Sequence, residues 1–429
     1  MSRRNVTEEL LEFIEQSPSA FHVIDNMKTE LAEAGYRELT EAEPWTLEAG
    51  GKYYVTRNES SLIAWQIPDR ENWQEYRGFH IAAAHSDSPS FLIKEHPEMS
   101  TEKSYIRLNT EKYGGMILST WLDRPLSVAG RVIVEQDGQM ESRLINVDRD
   151  LLVIPSMAIH MERKLNQGYE YNPQTDMLPI YADQTGEGSF HEVIAEAADL
   201  TGADRILSQE LYLYVREFGR IIGHEGEWIL SPRLDDAQCV FGLLQGLIQS
   251  KPNQYIDVTA VFHNEEVGSS TRQGADSTFL EDVLLWISEA AGEEMGAYRR
   301  KLSGSFLLSA DNAHALHPNH PEKADPTNRP VLNGGIVLKY HGGQKYTTDA
   351  VTGARVKMWC EEAGVPYQTY HNRSDLLGGS TLGNISTSHV SVPSADIGLA
   401  QLAMHSAVET AGSRDIRYLI ALIKQFYGE

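Results

Sequence analysis

The chain carries only two cysteines, Cys239 and Cys360, and neither stands in a CxxC pair. A thiolate zinc site and a dithiol redox motif are thereby excluded, and a reducing compartment fits. No stretch is long and apolar enough to span a bilayer, and no apolar core follows Met1-Ser2-Arg3-Arg4. The protein is therefore expected in the cytoplasm and off the membrane. Basic residues are scarce: 37 Lys and Arg against 61 Asp and Glu leave a formal net charge of −24. Such a surface repels nucleic-acid phosphates and anionic lipid heads, so no nucleic acid and no membrane is expected as a partner. Several catalytic signatures are missing too. Neither His191-Glu192 nor His224-Glu225 continues to HExxH, and P-loop and dinucleotide-binding glycine patterns are absent. Gly304-Ser305 and Gly379-Ser380 lack the flanking glycines of a serine nucleophile elbow.

What is present reads as an ordinary globular chain, with 41% hydrophobic and 23% charged residues over 429 positions. That length exceeds one ordinary core. Residues 7–35 read as two helices, with Thr7 and Ser19 as N-caps and Gly35 as a stop. Phe79–Ala84 is a short apolar run, read as a buried strand ending in the polar loop His85-Ser86-Asp87-Ser88-Pro89. From about Phe91 the texture changes. Ser104–Leu108, Leu126–Glu135, Arg143–Ile154 and Leu211–Glu217 read as short strands separated by Gly-Gly, Asp-Gly and polar turns, with Asn166–Gln209 as a long irregular stretch. After Gly226 strands and helices alternate: Ala237–Gln249 is a helix with an apolar stripe, and Tyr255–His263, Phe306–Ala310, Ile336–Tyr340 and Pro366–His371 are strands. Thr278–Arg299, Thr348–Glu362 and Asp415–Phe426 complete the pattern as helices. The expected fold is α/β, a mixed central sheet flanked by helices, formed by residues 1–91 and 225–429 and interrupted by a β-rich insertion over 92–224.

Acidic and imidazole residues recur just past the strand-like runs. His85 and Asp87 follow Ile81–Ala84; Asp235 and Asp236 follow Trp228–Leu230; Glu265 and Glu266 follow Val258–His263. Asp311 follows Phe306–Ala310, and His405 lies beyond the run Ile397–Ala400. Singly, each has an ordinary explanation: an Asp before a helix caps it, a Glu-Glu pair is solvated surface, a lone His is a packed or surface ring. Together they imply five strand ends of one sheet pointing at one crevice. Oxygen and nitrogen donors without thiolates suit a catalytic zinc site better than a structural one. Adjacent Glu265 and Glu266 cannot easily ligate one ion together, so one can bind metal while the other serves as a general base.

The strings Ala84-His85-Ser86-Asp87-Ser88-Pro89, Ser231-Pro232-Arg233-Leu234-Asp235-Asp236, His263-Asn264-Glu265-Glu266-Val267-Gly268, Ser309-Ala310-Asp311-Asn312-Ala313-His314 and Met404-His405-Ser406 together resemble the aspartyl aminopeptidases over nearly the whole chain. The resemblance implies two zinc ions per subunit, for which Co2+ or Mn2+ can substitute. Asp235 would bridge them, His85 and Asp311 completing one site and Glu266 and His405 the other. Glu265 would be the general base, and Asp87 the carboxylate that orients His85. Substrates would be peptides with a free N-terminus. The β-rich insertion would mediate homo-oligomerisation as a tetrahedral dodecamer, with His160 reaching a neighbouring subunit's site. Lys339 would face an acidic first side chain, with His314 and Asp375 also at the substrate. In the family string Asp-x-Pro-Cys-Gly-Ser-Thr, however, this chain reads Asp375-Leu376-Leu377-Gly378-Gly379-Ser380-Thr381, which leaves a broader or apolar preference open. Two further readings compete with an aminopeptidase: a different hydrolysis on the same scaffold, and a non-catalytic assembly protein with a vestigial metal site.

Overall fold

The structure, a computed structural model, describes residues 5–201, 204–376, 378–379 and 381–429. Elements are numbered in chain order. Helices α1 (Val6–Gln16) and α2 (Ala20–Glu33) precede strands β1 (Arg37–Glu38), β2 (Lys52–Arg57), β3 (Ser61–Gln66) and β4 (Phe79–His85). Then come β5 (Ser90–Thr101), β6 (Tyr105–Tyr113), β7 (Leu126–Gln136), β8 (Gln139–Asn146), β9 (Ile180–Asp183), α3 (Phe190–Ala197) and β10 (Arg205–Val215). Next are β11 (Arg220–Ile222), β12 (Trp228–Ser231), α4 (Leu234–Gln249), β13 (Ile256–Phe262), α5 (Phe279–Ala290) and α6 (Met295–Ser303). They are followed by β14 (Phe306–Ala310), β15 (Ala313–His314), β16 (Ile336–Tyr340), α7 (Ala350–Glu362) and β17 (Tyr367–His371). The chain closes with α8 (Leu382–His389), β18 (Ser394–Gly398), β19 (Ala400–Leu402), β20 (Glu409–Gly412) and α9 (Asp415–Tyr427).

The strands form three sheets. The main sheet has the order β1-β2-β3-β13-β4-β14-β18-β16-β17. Its centre, β13-β4-β14-β18, is parallel throughout. Central parallel strands are covered on both faces and so read as continuous apolar runs, and every residue of β4 and β13 is buried. One face carries α1, α2, α4, α7 and α9, and the other carries α5, α6 and α8. Helix α4 lies close on α9 because Gly246 has no side chain; a Cβ there would fall 2.3 Å from Ile423 Cγ2. A second, antiparallel sheet, β8-β7-β10-β5-β6-β9, has its own core with Phe190 and Ile194 of α3. A third, β11-β12-β20-β19-β15, runs along the carboxyl end of the first. This is the mixed α/β arrangement expected from the alternation of strand and helix.

Several local expectations are overturned. Thr7 is not a cap: its N–H donates to Asn5 Oδ1, and Asn5 caps α1. Ser19 does stand at the N-cap of α2 as expected, although its hydroxyl pairs with His22 and not with the helix. The stretch 166–209 is not irregular, since it contains β9, α3 and the first part of β10. That part of β10 carries exposed polar residues and a register break between Ile206 and Ser208, which hid its alternation. Arg143–Ile154 is strand only to Asn146.

Candidate metal centre

Three of the expected site segments sit at the carboxyl ends of neighbouring parallel strands: His85 ends β4, Glu265 and Glu266 lie just past β13, and Asp311 just past β14. The other two come from the third sheet. Asp235 follows β12 and His405 lies between β19 and β20. The expectation of five strand ends from a single sheet is therefore corrected: two sheets meet at the crevice. Nor does Asp235 cap α4. It lies within the first turn with non-helical φ −87°, ψ 107°, and its carboxylate turns toward the histidines.

The donors form overlapping groups in which all ligand atoms lie within 4.8 Å of one another. One group is His85, Asp235, Asp236 and Asp311; another is Asp235, Glu266 and His405; a third joins His85 with Glu265 and Glu266. Asp235 stands between the histidines, with Oδ1 3.7 Å from His85 Nε2 and Oδ2 3.4 Å from His405 Nε2. His405 Nε2 is also 3.5 Å from Glu266 Oε2. Both rings are aimed through their other nitrogen. His85 Nδ1 donates to the main-chain oxygen of Asp87 at 3.0 Å, and His405 Nδ1 to Gly115 O at 3.1 Å. Each tautomer is thus set with Nε2 free to ligate.

Asp87 does more than face His85. Its Oδ1 accepts the Glu265 N–H and its Oδ2 the Glu266 N–H, each at 3.2 Å. Tyr113 Oη donates to Oδ2 at 2.7 Å. Burial opposes the Asp87 charge, but the interaction with the His85 ring, the nearby His263 and the Tyr113 hydroxyl hold its carboxyl well below the usual range.

The carboxylates of Asp87, Asp235, Asp236, Glu265, Glu266 and Asp311 thus converge with the imidazoles of His85 and His405 and the ammonium of Lys339. Burial pushes Glu265 up to about 7, with Asp311, Asp87 and Asp235 adding to the effect against the opposing field of His85. Burial would lower the His85 pKa, but Asp236, Asp235 and Asp87 raise it well above the ordinary value. Burial also works against protonated His405, yet Asp235 and Glu266 raise it to about 10. The cluster therefore demands positive charge. Asp235 Oδ1, Asp236 Oδ1 and Glu266 Oε1 are buried with no hydrogen-bond partner. Orphaned buried oxygens beside imidazole nitrogens, with no thiolate, are the donor set of a hydrolytic zinc site, and the residues fit that ion.

The substrate candidates are placed differently. Lys339, 2% exposed, donates from Nζ to Asn312 O at 2.8 Å and stands 3.6 Å from Asp311 Oδ2. His314 opens onto a cleft of about 330 Å3 with Tyr370 and Gln401, and desolvation by the surrounding protein lowers its pKa. Asp375 is exposed and paired with Arg373 at 2.6 Å. His160 is exposed and belongs to none of the donor groups among the described residues. Leu377 and Ser380, within the string from Asp375 to Thr381, lie outside the described residues.

Sequence reasoning missed Glu409. It is 2% exposed, and its Oε2 accepts the Asp235 N–H at 3.0 Å while its Oε1 accepts the His405 N–H at 2.7 Å. Burial pushes it up to about 8, and the Asp235 charge acts in the same direction. A lone acid within the strand-like Ala407-Val408-Glu409-Thr410-Ala411 was the available signal.

Fold and donor set define a metallohydrolase of the zinc-peptidase class. The chain belongs to the aminopeptidase I zinc metalloprotease family (M18), whose model matches residues 13–427, and it is a zinc metallo-aminopeptidase. It is 46% identical over 425 residues to a probable M18 family aminopeptidase 2 of Clostridium novyi (strain NT), covering 98% of both chains. Among solved structures it is similar to Ape4 in a complex with Nbr1, with a TM-score of 0.94, 34% identity and coverage of 99% of this chain and 85% of that one. It is also similar to the S. cerevisiae mApe1 dodecamer, with a TM-score of 0.86, 26% identity and coverage of 99% and 96%.

Proposed function

We propose that the protein releases N-terminal residues from peptides at a two-zinc centre. His85 and Asp311 would hold one ion, Glu266 and His405 the other, and Asp235 both. The observation that carries this is the position of Asp235, whose two oxygens face two separate histidines. When bound, zinc supplies Lewis acidity toward a carbonyl oxygen and makes water more acidic. Glu265, raised to about 7, takes the proton of the attacking water and returns it to the departing peptide nitrogen, the exchange that a base poised near neutral performs best. Asp87 holds Glu265 in place through the main chain. Glu265→Gln should retain zinc and lose about 10²–10⁴-fold in kcat; near-normal turnover would remove Glu265 from this role.

The acidic preference implied by the resemblance depends on Lys339. A second reading, a broader preference, is favoured by the engagement of Lys339 Nζ with Asn312 and Asp311. A kinetic panel of Asp-, Glu-, Leu- and Ala-terminated substrates decides between them. We assign the β-rich insertion over 92–224 to assembly as a cytoplasmic homo-oligomer, a tetrahedral dodecamer in which His160 enters a neighbour's site. Val153, Met157, Ile159 and Met161, exposed by 36, 36, 43 and 79%, flank His160 and suit a covered surface. Sedimentation of a Met157→Glu, Met161→Glu double variant tests this, with smaller species expected and an unchanged profile contradicting it.

A further inference from the structure

We propose that Tyr113-Gly114-Gly115, at the end of β6 in the second sheet, is a positioning element for the metal centre; this rests on the ligand reading above. Tyr113 is buried, and its phenol joins two loops. It donates to Asp87 Oδ2 at 2.7 Å and accepts from Asn264 Nδ2 at 2.9 Å. Asp87 in turn grips the N–H groups of Glu265 and Glu266. Asn264, with φ +62°, spends its own Oδ1 on Thr271 and Gln273. The loop bearing the base and one ligand is therefore referenced to this hydroxyl from both sides.

The glycines extend the same contact. Gly114 has φ +80°, and a Cβ there would stand 3.1 Å from Glu266 Cβ, so its bare backbone lies against that ligand. Gly115 O fixes the His405 tautomer. Just beyond, the Ile117 N–H donates to His405 O at 2.9 Å, and Thr120 Oγ1 accepts the Ala407 N–H at 2.9 Å. One run of the inserted sheet thus touches Asp87, Glu266 and His405. The insertion thus contributes to the site of its own chain, in addition to any part it plays in assembly.

Ring packing alone would predict otherwise. Tyr113 lies edge-on to Tyr212 with centroids 5.4 Å apart and is stacked near His263 at 6.3 Å. Phenylalanine preserves both contacts, so Tyr113→Phe removes only the hydroxyl. The experiment measures kcat, KM and chelator-driven zinc release for wild type, Tyr113→Phe and the neighbouring control Tyr212→Phe. Wild type is assayed for zinc and turnover first, because a zinc-free, inactive wild type would sink the metal reading itself. For Tyr113→Phe we expect kcat down about 10–100-fold, KM nearly unchanged and zinc released about tenfold more readily, the usual cost of losing an outer partner of a metal ligand. Tyr212→Phe should behave as wild type. Wild-type kcat and zinc release in Tyr113→Phe, or equal losses in the control, would overturn the proposal. If circular dichroism shows Tyr113→Phe unfolded, Gly114→Ala carries the test: it keeps the hydroxyl, presses on Glu266 and should speed zinc release, and no change would overturn the proposal.

Discussion

The two donor groups that share Asp235 are built in different ways. In the inner group, His85, Asp235, Asp236 and Asp311 are all buried, while in the outer group the His405 side chain is 31% exposed beside the 4% exposed side chain of Glu266. His85 and Asp311 stand at the ends of adjacent parallel strands of the main sheet, where β4 and β14 are hydrogen-bonded, and Lys339 on the same sheet balances Asp311. Glu266 and His405 come from two sheets and lean on a third through Gly115. His405 also holds φ +65°, a conformation that costs a non-glycine residue free energy and persists only when its surroundings enforce it. A site made by neighbouring rigid strands is fixed when the sheet forms. One assembled from loops opens with whichever loop is weakest.

The largest effect should come from removing the residue the groups share. Asp235→Asn is expected to lose zinc from both and to lower kcat/KM by about 10³-fold or more. That is the several kcal/mol of Lewis-acid stabilisation converted at roughly 1.4 kcal/mol per tenfold. Metal analysis that still finds both ions would show that Asp235 does not join the groups. His405→Ala sharpens the contrast, since it should retain the inner zinc and lose the outer, with activity down by about 100-fold or more. Wild type should then release zinc to a chelator in two phases, the faster of which is missing from His405→Ala. A single phase in wild type would make the two groups equivalent.

The contrast also governs how much could be read from sequence. His85 and Asp311 of the inner group were legible because β4 and β14 are mostly apolar runs followed at once by an imidazole or a carboxylate, and position along a parallel strand fixes position in the crevice. The central strands and the α4 stripe emerged from the same periodicity. The outer group's support was not legible. Tyr113-Gly114-Gly115 reads as a turn between strands, and nothing in its spacing says that it lies against Glu266. Glu409 was lost because its shortest bonds come from main-chain N–H groups, which leave no trace in residue type, with Gln401 Nε2 farther off at 3.3 Å. Lys339 came only from the family resemblance, and its bond to Asn312 O joins β16 to the loop after β14, a contact that residue type does not reveal.

Glu409→Gln probes the outer group more gently. Glutamine keeps one acceptor and turns an NH2 toward the other N–H, so either Asp235 or His405 loses its bond. Hydrogen bonds to charged groups contribute about 1.5–3 kcal/mol, and since Asp235 and His405 retain their other contacts we expect about a tenfold loss in zinc affinity, confined to the faster phase. A change in the slower phase would place Glu409 with the inner group.

The smallest effect is the most diagnostic of charge. In the zinc-free chain, His405 is raised from 6.5 to about 10. Its contribution to stability is therefore full below about 6.5 and is lost as pH rises through 10. Glu265, raised from 4.5 to about 7, acts in the same direction over a lower window, because its charge is less tolerated folded than unfolded. Zinc reverses both, since ligands must be deprotonated to bind and the ion meets the charge that the protons otherwise met. The melting temperatures of zinc-loaded and zinc-free protein should accordingly diverge as pH rises from about 6 to 9, and activity should fall on the acid side of neutrality. Calorimetry at matched ionic strength measures the gap. A gap that narrows with pH would contradict competition between protons and zinc for these groups. His405→Ala should flatten the upper part of the divergence, because the proton that competes with the outer ion is carried on that ring.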